Sequence, residues 1–166
     1  MDYKVEITSA AQAAGIEPAI AIAVAQRESG LKHFRSDGNV VTGTSGEIGI
    51  FQVKPATAPG VDLTDPHQNI KAGVGYLREM LHQFGTWEWA LAAYNWGPEK
   101  VRRAMQQTAP SLPASVRTYV SSILGHAQGG QTFTPGRPLV AAPGWNPKVV
   151  MGSLAAVTAV YVLVLR

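Results

Sequence analysis

Among the 11 acidic residues of this chain, Glu28 has the setting of a proton donor. It lies near the end of Pro18–Ser29 (PAIAIAVAQRES), a segment opened by proline and stopped by Gly30. Proline suits the first turn of a helix and glycine its C-terminal end, so the stretch reads as a helix. Its body, Ala19 to Ala25, is apolar on every side, as in a buried helix rather than a surface one. A carboxyl there meets apolar walls and the negative end of the helix dipole. Both disfavour the charged form and raise the pKa, the condition for a general acid near neutral pH. The alternative is a solvated glutamate after a core helix.

A second carboxylate would widen the chemistry. Glu47, in Ser45-Gly46-Glu47-Ile48-Gly49, reads either as a loop carboxylate paired with a nearby base or as a partner to Glu28 across a cleft. Asp37 and Asp62 are weaker candidates, because Ser36-Asp37-Gly38 and Val61-Asp62-Leu63 look like turns. His33, His67, His82 and His126 show no metal-ligand spacing and no nucleophile partner, and read as surface or capping residues. Ser29 and Ser45 lack a nucleophile elbow. No metal and no cofactor is expected.

The elements that must position these groups are mainly helical. A first helix is predicted over about Lys4–Ala14, ended by Gly15, and is followed by the helix carrying Glu28. Leu31 to Pro59 is rich in Gly, Thr and Ser, and reads as loop with a short hairpin. Asp65 caps the next helix and Pro66 begins it, with Ile70, Val74, Leu77, Leu81 and Phe84 on one stripe before Gly85. Thr86 caps a helix to Tyr94, Pro98 starts another to about Gln107, and Pro113 a last one to about Leu124. Roughly 120 residues suffice for one core.

Three further stretches accompany Glu28-Ser29-Gly30-Leu31. They are Gly49-Ile50-Phe51-Gln52, then Asp65-Pro66-His67-Gln68-Asn69-Ile70 leading into Gly73-Val74-Gly75-Tyr76-Leu77, then Ala92-Ala93-Tyr94-Asn95-Trp96-Gly97-Pro98. In this order and spacing they resemble the catalytic domain of the soluble lytic transglycosylases, relatives of goose-type lysozyme. The similarity runs from about Ala10 to about Leu124 and includes Leu112-Pro113 and Arg117-Thr118-Tyr119-Val120. It implies a mainly α, lysozyme-like α+β fold that cuts peptidoglycan between N-acetylmuramic acid and N-acetylglucosamine.

The resemblance makes Glu28 the catalytic acid and base, with Ser29 as its small polar neighbour, counted among the substrate-binding residues. Gly49-Ile50-Phe51-Gln52 matches a motif whose Gln lines the sugar cleft, which places Gln52, with Phe51 beside it, among the substrate-binding residues. Tyr94 and Asn95 match a pair in which the Tyr hydroxyl lies near the catalytic carboxyl and the Asn touches substrate. Of the aromatics Trp87, Trp89, Trp96, Tyr76, Phe34 and Phe51, most should be core, while Trp96 is a candidate for stacking on sugar. One acid suffices for such an enzyme. It protonates the glycosidic oxygen, then deprotonates the C6 hydroxyl that closes a 1,6-anhydro ring. Glu47 stands where relatives more often carry a small residue, so the alternative is a hydrolytic muramidase using Glu28 with Glu47. A non-catalytic, wall-binding structural protein of a virus particle is a third reading, opposed by the intact Glu28, Gln52, Tyr94 and Asn95.

Composition divides the chain into a catalytic domain over 1–126, a Gly/Pro-rich linker over 127–148 and a C-terminal membrane anchor over 149–165. Val149 to Leu165 is a run of 17 residues without a charge. As a helix it would span about 25 Å, the short end for a bilayer core. Every acidic residue lies at or before Glu99, and residues 100–166 carry seven basic groups, which suits anionic lipid or wall polymer. No stacking platform or groove-reading motif points to nucleic acid. No secretory signal is visible at Met1-Asp2-Tyr3-Lys4, although the substrate lies outside the cell membrane. Delivery in a phage particle, with the tail in a virion membrane or the host envelope, reconciles the two. The expected partners are therefore glycan strands, a membrane and other virion or envelope-complex proteins. The alternative location is the bacterial inner membrane facing the periplasm. The absence of cysteine fits either compartment.

Overall fold

The computed structural model describes residues 2–108 and 111–127. These form six helices: α1 (Lys4–Ala14), α2 (Pro18–Ser29), α3 (Pro66–Phe84), α4 (Trp87–Trp96), α5 (Pro98–Met105) and α6 (Ala114–Ala127). Proline opens α2, α3 and α5, where its missing N–H costs nothing. Asp65 caps α3 by accepting from Gln68 N at 2.8 Å, and Thr86 caps α4 by accepting from Trp89 N. α1 and α2 match the predicted bounds. α4 runs two residues past Tyr94, because only Gly97 stops it. α5 ends at Met105 rather than Gln107, and α6 extends to Ala127 rather than Leu124.

The core lies where α2 packs on α1 and α6, α3 on α1 and α4, and α4 on α5 and α6. Ile20, Val24, Ile70, Leu77, Leu91, Ile123 and Leu124 meet there with almost no exposed surface. Each such side chain contributes roughly 1.5–3 kcal/mol through burial. On α3, Met80 is buried where Leu81 was expected. The stripe steps by three from Leu77, so Leu81 turns toward the edge.

The segment between α2 and α3 carries no strand. Three isolated antiparallel bridges, Phe34 with Val40, Thr42 with Ile48 and Ile48 with Val53, are what becomes of the expected hairpin and of the β part of the α+β expectation. Polar side chains from inside the core hold this segment instead. His33 is 1 % exposed, which corrects its expected surface place. One of its ring nitrogens accepts from Ile50 N and the other faces Thr64 O at 2.9 Å. Buried Asn69 accepts from Phe51 N and donates to the carbonyls of Ile48 and Leu63. These bonds satisfy backbone groups that a loop pressed into a core would otherwise leave orphaned.

The expected linker and membrane helix lie outside the described residues, except that Ala127 closes α6. Among the described residues no helix is long and apolar enough to cross a membrane.

Candidate active site

α2 ends in a left-handed pair, Gly30 (φ 67°) and Leu31 (φ 61°). Their N–H groups donate to the carbonyls of Gln26 and Ala25, closing the last turn as a Schellman motif does. The chain therefore turns sharply just past Glu28 and leaves its half-buried side chain facing a cleft of about 470 Å³. Glu47, Gln52, Tyr94, Asn95 and Trp96 line the same cleft. Burial raises the pKa of Glu28, and the charge of Glu47 adds to that. A hydrogen bond from Tyr119 and the charge of Arg27 pull the other way, and burial wins.

Tyr119 is the site residue that sequence reasoning did not single out. Its hydroxyl, brought from α6, donates to Glu28 Oε1 at 2.5 Å. The only signal for it was its place in Arg117-Thr118-Tyr119-Val120 at the end of the resemblance. Tyr94 was expected beside the carboxyl; it lines the cleft, but its hydroxyl donates to Phe51 O at 2.7 Å. Both phenols have pKa values pushed well up, mainly by burial and further by the charge of Glu28, so both stay protonated donors.

Gln52 is fixed in a tight turn. Its φ of 47° is left-handed, and its side-chain amide donates to Gly49 O at 2.7 Å. Gly43 faces it so closely that a Cβ there would stand 2.9 Å from Gln52 Oε1 and would collide with Glu47. Asn95 is exposed at the cleft, and Tyr76 lines it too, its ring tilted against Tyr94 at 5.2 Å.

Two of the expected substrate contacts lie away from the cleft lining. The Phe51 side chain is fully buried and packs on Gly73 of α3, so it belongs to the core and only its carbonyl serves the site. Ser29 is not in the cleft lining. Its hydroxyl lies 2.8 Å from Ile50 O and accepts from Lys32 N, tying the end of α2 to the loop that carries Gln52. Trp87 is core as expected, and Trp89 is partly buried against the core.

Glu47 fits both expectations at once. It lines the cleft, yet Lys54 Nζ lies 3.2 Å from Oε1 and Ser45 N donates to Oε2 at 3.0 Å. Partial burial would raise its pKa, but its own backbone N–H, that of Ser45 and the ammonium of Lys54 together hold it below the ordinary value. Asp37 and Asp62 sit outside the cleft lining and cap their own turns, Asp62 accepting from both Thr64 N and Thr64 Oγ1. Among the described residues no cluster of His, Asp or Glu is arranged to hold a metal.

The chain is 31 % identical over 120 residues to the transglycosylase of Enterobacteria phage PRD1, an alignment covering 70 % of this chain and 44 % of that protein. It is 32 % identical over 126 residues to the soluble lytic murein transglycosylase of Escherichia coli K12, covering 61 % of this chain and 20 % of the relative. The chain thus spans less than half of each of these relatives. The fold matches an inactive mutant of lytic transglycosylase Slt from Pseudomonas aeruginosa with a TM-score of 0.64 at 24 % identity, over 76 % of this chain and 23 % of that one. It also matches the 70 kDa soluble lytic transglycosylase of Escherichia coli with a TM-score of 0.60 at 28 % identity, over 75 % of this chain and 25 % of that one. The transglycosylase SLT domain model matches residues 6–113, the stretch that builds most of the cleft, and the chain belongs to that family.

Proposed function

We propose that this protein is a peptidoglycan lytic transglycosylase in which Glu28 alone serves as acid and then base. The observation that carries the reading is a carboxyl at a helix end, facing a cleft, whose pKa burial raises. Protonated Glu28 gives its proton to the oxygen between muramic acid C1 and the next sugar. The C1–O bond breaks, and positive charge develops at C1. Glu28, now a carboxylate, takes the proton of the muramic C6 hydroxyl, and O6 bonds to C1 to close the anhydro ring. Acid and base in turn, one residue completes the cycle without water. Digestion of purified peptidoglycan followed by mass spectrometry tests it: anhydro-ended muropeptides support the proposal.

Glu47 favours one second reading. One carboxyl with its pKa raised and another with its pKa lowered, both in one cleft, is the pattern of a two-carboxylate hydrolase. What weighs against it is that both Glu47 oxygens already have partners, Lys54 and Ser45. Reducing-ended products would establish it.

The biological setting extends the same proposal. The phage transglycosylase among the relatives supports a protein carried by a virus particle that opens the host wall locally. The uncharged run Val149 to Leu165 supports anchoring to a membrane. Presence in purified particles, and flotation with lipid vesicles that is lost on deleting Val149–Arg166, are the corresponding measurements.

A further inference from the structure

We infer that His33 is a positioning residue of the cleft: through Ile50 N it holds the turn that presents Gln52, and it can do so only while its ring is uncharged; this rests on the wall-cleaving reading above. His33 does not line the cleft. It lies buried behind the loop and bridges two stretches of backbone. Ile50 N donates to Nδ1 at 3.2 Å, and Nε2 lies 2.9 Å from Thr64 O. A backbone N–H can only donate and a carbonyl can only accept, so Nδ1 must be bare and Nε2 must carry the hydrogen. One tautomer satisfies both partners.

The ring has no second place to go. A Cβ on Gly49 would stand 2.5 Å from His33 Cε1, so the edge of the imidazole presses on the backbone of the turn itself. That turn reaches the site at both ends. Gly49 O accepts from Gln52 Nε2 at 2.7 Å, and Ile50 O lies 2.8 Å from the hydroxyl of Ser29, the residue after Glu28.

A proton added at Nδ1 turns the acceptor into a donor aimed at the N–H of Ile50. Two buried donors then face each other. The surroundings do not relieve this. Tyr3, at the start of α1, has its ring 6.5 Å away, and Phe34 is apolar. α3 contributes the uncharged Asn69. Asp62 and Asp65 flank Thr64, but their carboxylates accept from Thr64 and from Gln68 N. Lys32 and Arg35, on either side along the chain, can only donate. Among the described residues no carboxylate lies within 4 Å of either ring nitrogen. The turn must therefore give way. Asn69, which holds Phe51 N and Ile48 O, has no charge to gain, so the release stays local to Gly49 and Ile50.

The test follows kcat/KM of the full chain on peptidoglycan across pH. Glu28 begins the reaction protonated, so the acidic limb is left to His33, and kcat/KM should fall about tenfold as the ring takes up its proton. Two variants separate positioning from support. Asparagine puts an oxygen where Nδ1 stands, which accepts from Ile50 N and does not titrate. Glutamine puts a nitrogen where Nε2 stands, which reaches Thr64 O and leaves Ile50 N bare. Each loses one bond, so a merely structural role would make them alike. His33→Asn should stay within about threefold of the parent at neutral pH and lack the acidic limb. His33→Gln should be about tenfold down already at neutral pH. Equal activities, or an acidic limb that persists in His33→Asn, overturn the inference. Nitrogen-15 NMR of the parent reads the ring without turnover or substitution. Its only hydrogen should sit on Nε2, and the Ile50 amide and Gln52 side-chain amide should shift with the midpoint of the ring while the helix amides stay. A hydrogen on Nδ1, a different midpoint for Gln52, or the loss of all amides together would overturn it. If the parent cleaves no peptidoglycan at any pH, the proposed activity fails, and the NMR titration alone decides His33.

Discussion

The Tyr119 hydroxyl on α6 donates to Glu28 Oε1 on α2, joining two residues 91 positions apart at the head of the cleft. The bond requires α6 to lie against α2, and the two helices do pack together, with Val120, Ile123 and Leu124 of α6 buried in the core. Helix packing thus reaches the proposed proton donor. A phenol donating to a carboxylate favours the charged form, so Tyr119 moderates the upward push that burial exerts on Glu28.

Tyr119→Phe should therefore raise the pKa of Glu28 further. Activity of an acid catalyst is lost as pH rises through that pKa, so the basic limb of the kcat/KM profile should move to higher pH. The rate on the plateau should fall, because the carboxylate that forms after proton transfer loses its donor. The fold should lose only about 1 kcal/mol, the net worth of one hydrogen bond. A variant with an unmoved pH profile would show that the contact does nothing for the proton.

Glu28→Gln keeps the shape and removes the proton. Cleavage should fall by about 10²-fold or more. Stability should respond in the opposite sense. The folded-state pKa of Glu28 is raised, so the folded parent retains a proton that the unfolded chain has lost. Its contribution is full below the unfolded pKa and declines as pH rises through the folded one. The amide carries no such penalty. Denaturant midpoints of variant and parent should therefore diverge in favour of the variant from acidic to neutral pH. A constant difference across that range would mean that burial does not act on this carboxyl.

The helices were legible because their signals are local. Pro18 with Gly30, and Asp65 and Pro66 with Gly85, bracket α2 and α3 in a few residues each. The same holds for Glu28, whose apolar helix lies immediately before it. What could not be read depends on partners far along the chain. His33 has no sequence neighbour that announces burial; Ile50 N and Thr64 O make it a core residue. Phe51 follows the cleft-lining logic of Gln52 in sequence, but the left-handed turn at Gln52 sends the two side chains to opposite sides, one into Gly73 and one into the cleft. Tyr119 bears on Glu28 only once α6 has docked.

Glu47 separates the two chemistries. With Glu28 acting alone, Glu47→Gln should stay within about tenfold of the parent and still give anhydro ends. Removing a like charge near Glu28 should also lower its pKa and draw the basic limb to lower pH. A hydrolase that needs a second carboxylate would instead lose about 10²-fold or more. Its reducing-ended product would disappear with the rate, and product analysis by mass spectrometry distinguishes the outcomes.

Gly73 tests how far the core governs the site. In a helix interior alanine is better than glycine by about 1 kcal/mol, and Gly73 lies within α3. Here the added Cβ would run into the Cβ and Cγ of Phe51, a side chain with no exposed surface and no room to swing away. Overpacking of this kind costs about 1–3 kcal/mol, so it should cancel or exceed the gain. If Phe51 yields, its carbonyl moves, and with it the hydroxyl of Tyr94 and the turn at Gln52. Gly73→Ala should thus lower kcat/KM about tenfold at temperatures where the variant is still folded, less than the roughly hundredfold that a full 1 Å misplacement can cost. Gly75, two residues on and on the exposed side of α3, has open space around it and supplies the control. Gly75→Ala should stabilise the protein slightly and leave kcat/KM alone; equal effects of the two substitutions would mean that Phe51 does not transmit core packing to the cleft.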